Sequence, residues 1–311
     1  MTTAILYHDD CLSHINPVGH PERVERLGAV TLALRSAEFS PLKWVDSPLA
    51  TDQQVLRVHP RSYLDFVQSS VPRSGFTALD ADTILSPLSL IAIRRAAGAV
   101  CKAVDIVVSK AAQNAFCAVR PPGHHAEAAT AMGFCTYNNV AIAARHALDF
   151  WGLKRVAIVD FDVHHGNGTQ NIVWNNPNIA YVSTHQSPLY PGTGLPEEIG
   201  ASGNILNLPL PPHSGPKLFR ERIFNEGFPF LHEFDPQLLL ISAGFDAHRA
   251  DPLANLNLNA DDFAWVTEVL CDLADEHCDG RVVSTLEGGY DLDALAESVA
   301  THVRVLMERA A

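Results

Sequence analysis

Six apolar runs along this chain stop abruptly at polar residues. They are TAILYHDD (3–10), AFCAVRPPGHH (115–125), RVAIVDFD (155–162), IAYVSTH (179–185), LLLISAGFD (238–246) and VVSTLEGGY (282–290). Near-continuous Val, Ile and Leu, without polar alternation, mark strands buried on both faces. Between the runs lie stretches with helical patterning, such as SLIAIRRAAGAVCKAVDIVVS (89–109), NNVAIAARHALDFWG (138–152) and ADDFAWVTEVLCDLADEH (260–277). Strands of this kind alternating with helices predict an α/β fold, a mostly parallel sheet covered by helices on both faces. In open sheets of that type ligands bind at the carboxyl ends of the strands, where all the polar clusters fall.

Composition narrows the picture. The 311 residues are 47% hydrophobic, with no repeat, low-complexity tract or compositional shift, so one domain over 1–311 is expected. Prolines gather in segments that read as loops, RPPGHH and LPLPPHSGP. A formal net charge of −13 argues against nucleic acid, because phosphate contacts need clustered Lys and Arg. The start, MTTAILYHDDC, reaches charged residues at once, and no apolar run is long enough to be a signal or a membrane span; a cytoplasmic protein without membrane partners is expected. Six scattered cysteines without Cys-x-x-Cys pairs predict reduced core residues, neither a disulfide framework nor a cysteine-rich zinc module.

The segment VDFDVHHGNGTQ (159–170) carries the most chemistry. If it stays extended, Asp160, Asp162 and His164 point to one face. Carboxylates crowded at a buried strand end are costly unless a cation holds them, which makes a metal site the functional reading. The structural alternative is that Asp160 and Asp162 cap a helix starting near Thr169. Asp246, ending another buried run, completes with Asp162 and His164 a three-ligand N/O set with an open fourth position, the pattern of a catalytic zinc-type site. His124 and His125 sit side by side in a Pro/Gly loop, poised for proton transfer, with Asp160 and Asn167 as partners that set their tautomers. Tyr290, after two glycines, is a candidate donor to a developing oxyanion, although a turn tyrosine is ordinary.

The series GHPERVERL (19–27), PGHH, GFCTYNN, DFDVHHGNGTQ, STH, YPGTG, SAGFDAH and LEGGYDL, in that order across residues 19–292, resembles the histone deacetylase superfamily. Asn167 and Glu287 look more like class II deacetylases and their bacterial amidohydrolase relatives than class I. The resemblance implies the arginase/deacetylase fold with a central eight-stranded sheet. It implies one divalent ion, normally Zn2+, on Asp162, His164 and Asp246. His125 would be general base and then acid, His124 with Asp160 its electrostatic partner, and Tyr290 the oxyanion donor. It also implies a structural K+ or Na+ at Asp160, the backbone near Asp162 and His164, Ser183 and Thr184. Gly133, Phe134 and Tyr190 would shape a narrow tunnel, and Arg26 would border an acetate-release cavity.

Two substrate classes follow, acetyl-lysine in peptides and acetylated polyamines or other small acyl-amines. Polyamine-selective relatives place a glutamate at the tunnel entrance, seven positions after the metal aspartate; this chain has Leu253 there, a fourth tunnel residue that resembles the acetyl-lysine deacetylases. Asp80 and Asp82 either receive a peptide backbone or a cationic amine, or merely solvate their loop. A binuclear ureohydrolase shares the fold, but its Asp-x-Asp is replaced by Gly-Phe-Asp at 244–246. A non-catalytic acyl-lysine binder would have lost a ligand, histidine or tyrosine, and none is lost. Bacterial relatives are often dimers or tetramers, so a homo-oligomer is compatible, with VPRSGFTALD (71–80) as a contact segment.

Overall fold

The computed structural model describes residues 2–310. Its strands are β1 (Thr3–Tyr7), β2 (Lys43–Asp46), β3 (Thr77–Ala78), β4 (Ile84–Leu85), β5 (Asn114–Cys117), β6 (Val156–Asp160), β7 (Ile179–Gln186), β8 (Ile205–Leu210), β9 (Leu238–Ala243) and β10 (Val282–Leu286). The helices are α1 (Val24–Leu34), α2 (Asp52–Val55), α3 (Arg61–Ser70), α4 (Ser89–Val108), α5 (Asn139–Asp149), α6 (Asn167–Val173), α7 (Pro216–Arg222), α8 (Phe228–Phe234), α9 (Ala260–His277) and α10 (Leu292–Arg309). Eight strands form one sheet in the order β2-β1-β5-β10-β9-β6-β7-β8, and β3 pairs with β4 separately. Every pair in the large sheet is parallel.

The six apolar runs are six of these strands, and β5, β6, β7, β9 and β10 are buried along their whole length. That two-sided burial is why their sequences do not alternate. The two strands of the large sheet without such a run, β2 and β8, are its edges, where partial exposure dilutes the apolar signal. The expectation that LPLPPHSGP is a loop needs correction, since Leu208, Pro209 and Leu210 belong to β8. An edge strand has a side with no ladder to complete, so a residue lacking N–H is tolerated there.

Helix ends are set locally. Asn138 caps α5 by accepting from Ala141 N–H, Asn259 and Asp262 form a capping box on α9, and Asp291 caps α10 through Ala294 N–H. All six cysteines are free and buried. No helix among the described residues is long and apolar enough to cross a membrane.

Candidate active site

Strands β5, β10, β9 and β6 are consecutive neighbours in the sheet, although β5 ends at Cys117 and β10 begins only at Val282. Their carboxyl ends therefore bring the PGHH, LEGGY, AGFD and DFDVHH segments to one place. The strand part of VDFDVHH ends at Asp160. Strand alternation thus does not aim Asp162 and His164, as an extended segment would have; the turn that follows does. Phe161 and Phe245 alternate with the acidic residues and anchor both turns, packing in the core with Phe263 at ring separations of 5.9, 5.9 and 5.1 Å. Each buried ring pulls its turn down and leaves the flanking aspartates, Asp160 and Asp162 beside Phe161 and Asp246 beside Phe245, facing the site.

Three donor atoms face one point. His164 Nδ1 lies 3.1 Å from Asp162 Oδ1 and 3.1 Å from Asp246 Oδ2. Both aspartates are wholly buried. Backbone N–H groups orient them: His164 and Gly288 donate to Asp162 at 2.9 and 2.8 Å, and Val163 donates to Asp246 at 2.9 Å. Burial alone would depress His164, but the two carboxylates hold its pKa up at about 10. Tetrahedral ligands about 2.0–2.1 Å from a zinc-type ion sit about 3.3 Å apart, close to the spacing found, so the donor set fits such an ion. The capping alternative fails, because the N-cap of α6 is Gly166, the helix begins at Asn167 ahead of Thr169, and no side chain caps it. The extra aspartate that the ureohydrolase pattern needs at position 244 has no room either. A Cβ on Gly244 would stand 2.0 Å from Asp162 Oδ2.

The paired imidazoles lie beside this cluster, their ring centroids 4.1 Å apart. His124 Nδ1 donates to Asp160 Oδ2 at 3.0 Å, and that oxygen also accepts from Tyr181 Oη at 3.0 Å. His125 Nδ1 meets Asn167 Oδ1 at 2.8 Å. Asn167 Nδ2 is spent on Glu127 Oε1 at 3.1 Å, so its amide oxygen must face His125, and His125 carries its proton on Nδ1. Burial would lower both rings. For His124 the charges of Asp162 and Asp160 outweigh it and hold the pKa well above the ordinary value. For His125 burial wins, aided by repulsion from His124 and His164, and the pKa falls well below it. Adjacent residues are thus pushed apart into a charged and a neutral imidazole, the signature of divided roles.

A cavity of about 260 Å³ leads to the cluster, lined by Asp82, His125, Phe134, Tyr190, Leu253 and Tyr290 among others. All four residues expected along the tunnel, Gly133, Phe134, Tyr190 and Leu253, line it. Gly133 has φ +54°, and a Cβ there would stand 2.4 Å from the His125 ring, so only glycine lets this wall pass so close. Asp80 Oδ1 accepts from the N–H groups of Asp82 and Thr83, which makes it a turn former. Asp82 reaches the cavity and accepts from Gly133 N–H at 3.0 Å.

Arg26 is wholly buried behind Tyr290, its guanidinium 4.8 Å from the ring centroid. It donates to the carbonyls of Gly289 and Glu287, both at 2.6 Å, and so brackets the Tyr290 turn. Ser183 is register-paired with Asp160 across β6 and β7, and its hydroxyl bonds His185 Nδ1 at 2.9 Å; the buried Thr184 hydroxyl has no partner among the described residues.

Three further residues carry the site without having been singled out for a role in it. Glu287 accepts from Gly123 and His124 N–H at 2.7 and 3.2 Å, fixing the histidine loop; burial pushes its pKa up to about 7. Asp251 accepts from Tyr290 N–H at 2.7 Å. Glu22 pairs in the interior with Arg120, with N···O distances of 2.7 Å to both carboxylate oxygens, and sits 3.4 Å from Arg26. Glu287 ends a buried run and stands out only through its resemblance to class II enzymes, whereas nothing in the sequence around Glu22 and Asp251 tells either from a solvated carboxylate.

A buried set of two carboxylates and one imidazole, with paired histidines and a tyrosine beside it at the inner end of a cavity, defines the site of a hydrolase acting on an acyl group. Comparison with known proteins gives the family. A model described as "Histone deacetylase domain" matches residues 20–306. The chain is 39% identical to a protein named "Probable deacetylase" from Archaeoglobus fulgidus, over 94% of this chain and 82% of that one. It is also 39% identical to a "Histone deacetylase-like amidohydrolase" from Pseudomonas aeruginosa, over 78% of this chain and 65% of that one. Among solved structures, the HDA15 HD domain superposes with a TM-score of 0.93 at 33% identity, covering 99% of this chain and 90% of that one. The chain belongs to the histone deacetylase family. It is an enzyme, a hydrolase of the deacetylase and amidohydrolase kind.

Proposed function

We propose that this enzyme removes acetyl or similar acyl groups from lysine-type amines in peptides, with a zinc-class ion held by Asp162, His164 and Asp246. The observation that carries the reading is the convergence of those three buried donors at the inner end of a cavity of about 260 Å³ walled by Phe134, Leu189, Tyr190 and Leu253. When bound, such an ion supplies Lewis acidity that activates water near neutral pH and polarises a carbonyl. Phe134, Tyr190, Leu189 and Leu253 enclose the alkyl stem and exclude water around it. His125, neutral and protonated on Nδ1, has Nε2 free to take the proton of the attacking water and to pass it to the leaving amine. His124, cationic through Asp160, keeps His125 neutral at rest and adds positive potential as negative charge develops. Tyr290 presents its hydroxyl to the carbonyl oxygen as that oxygen becomes anionic. Asp160, paired with Ser183 beside Thr184 and the backbone of Asp162 and His164, is assigned to a monovalent cation, K+ or Na+; the support is its wholly buried carboxylate.

Asp82 in the cavity wall favours a second reading, a small cationic acyl-amine such as an acetylated polyamine. Initial rates on an acetyl-lysine peptide and on acetylspermidine, each with chelator and then zinc, separate the two. Chelator-sensitive turnover favouring the peptide supports the first reading. Preference for acetylspermidine moves the substrate to the second, and turnover indifferent to chelation removes the metal from both.

A further inference from the structure

We propose a second metal site, built from His232, His277 and Glu276 where the carboxyl ends of α8 and α9 meet. Their ligand atoms all lie within 4.8 Å of one another. His232 Nδ1 and His277 Nε2 face each other at 2.7 Å, and Glu276 carboxylate oxygens stand 3.8 Å from the first and 3.9 Å from the second. The site does not rest on the proposed deacetylation. Helix α9 lies between β9 and β10 in the chain and runs back over its 18 residues, about 27 Å, towards the amino-terminal ends of the strands, away from the catalytic end.

Three features make this more than a chance surface pair. Asp235 accepts from His277 Nδ1 at 2.8 Å, which leaves the Nε2 lone pair aimed at His232. Asp235 is itself fixed, as the left-handed cap of α8 with φ 52° and as the partner of Arg155 at 2.6 Å through its other oxygen. A carboxylate backing a histidine is the arrangement that orients metal-bound imidazoles. Further, both histidines stand in the last turns of their helices, so the negative ends of two helix dipoles converge on a point already flanked by Glu276. Finally, the side chain of His232 is 42% exposed, so its ring can turn and open the nitrogen pair from 2.7 Å to the about 3.3 Å that two imidazoles on one tetrahedral ion require. Binding through Nδ1 uses the His232 tautomer that carries its proton on Nε2.

Two imidazoles and one carboxylate select a borderline divalent ion, Zn2+, Co2+, Ni2+ or Cu2+, over Mg2+ or Ca2+. Water fills the fourth position. The ion ties α8 to α9 and leaves the catalytic end of the sheet alone.

The test is zinc content after equilibrium dialysis of the full chain, with the Co2+ absorption spectrum as a second readout. The wild type should hold one more ion than His232→Ala, whose deacetylation rate should be unchanged. Added zinc should raise the melting temperature of the wild type by more than that of His232→Ala. Asp235→Asn should keep the site but weaken it about 10–100-fold. Asp246→Asn, altering the catalytic donor set, should retain this second ion, so loss of one site is told apart from loss of the other. Equal zinc content in the wild type and His232→Ala, with no difference in the cobalt spectrum, overturns the proposal.

Discussion

Replacing Tyr290 with phenylalanine removes one oxygen and tests what the Tyr290 hydroxyl does. That hydroxyl has no protein partner among the described residues, while the ring rests between Arg26 at 4.8 Å and Phe134 at 5.9 Å. The backbone is pinned independently, by Asp251 on its N–H and by Arg26 on the carbonyls of Gly289 and Glu287. Phenylalanine therefore keeps every contact that holds the turn, and unfolding stability should stay within about 0.5 kcal/mol of wild type. A single oxyanion donor is worth roughly 3–4 kcal/mol of transition-state stabilisation, so kcat on an acetyl-lysine peptide should fall roughly 10²–10³-fold. KM should change little, because a neutral carbonyl gains little from the donor that an oxyanion needs. The assay is steady-state kinetics with metal content measured on the same samples. A kcat within a few-fold of wild type at equal metal content, or a rise in KM with kcat intact, would refute the oxyanion role.

Other outcomes follow from the same geometry. His125→Ala should abolish turnover while His124→Ala leaves a measurable residue, compared at equal metal content; the reverse ranking would exchange the two roles. Gly288→Ala places a Cβ 2.1 Å from Asp246 Oδ2 and 2.6 Å from Asp162 Oδ2. It should cost metal occupancy together with about 1–3 kcal/mol of stability, read by metal analysis and denaturant unfolding. Glu22 is buried, which would raise its pKa, but Arg120 and His14 prevail and lower it from 4.5 to about 2. A depressed carboxylate stabilises the fold above its unfolded pKa and loses that contribution as pH falls towards the folded one. About 3 kcal/mol should therefore disappear between about pH 4.5 and 2. Glu22→Gln, less stable at neutral pH because Arg120 is left buried without its partner, should show a much flatter acid dependence in its melting temperature.

Read from the residues alone, the buried strands, the helix-covered parallel sheet and the clusters at the strand ends are all legible, because two-sided burial writes an unbroken apolar run and its end writes a polar one. The edge strands β2 and β8 are not, since half-exposed strands carry a mixed pattern, and Pro209 disguises one of them as a loop. The residues offered for the metal set, Asp162, His164 and Asp246, and the two histidines could be nominated by chemistry, because their types and their place after apolar runs have few other uses. Tertiary structure alone decided that β5, β10, β9 and β6 lie side by side, which is what makes four separate clusters one site. It also separated His124 from His125. The two are chemically alike and adjacent, and only the charges that folding sets beside them, Asp160 and Asp162 against an amide from Asn167, leave one cationic and the other neutral. The same holds for Glu22, Asp251 and Glu287, and for His232 with His277. A carboxylate that holds a loop or an imidazole that faces another differs from a solvated one only in what lies within about 3 Å of it, and hydrogen bonding at that range joins residues the sequence keeps far apart.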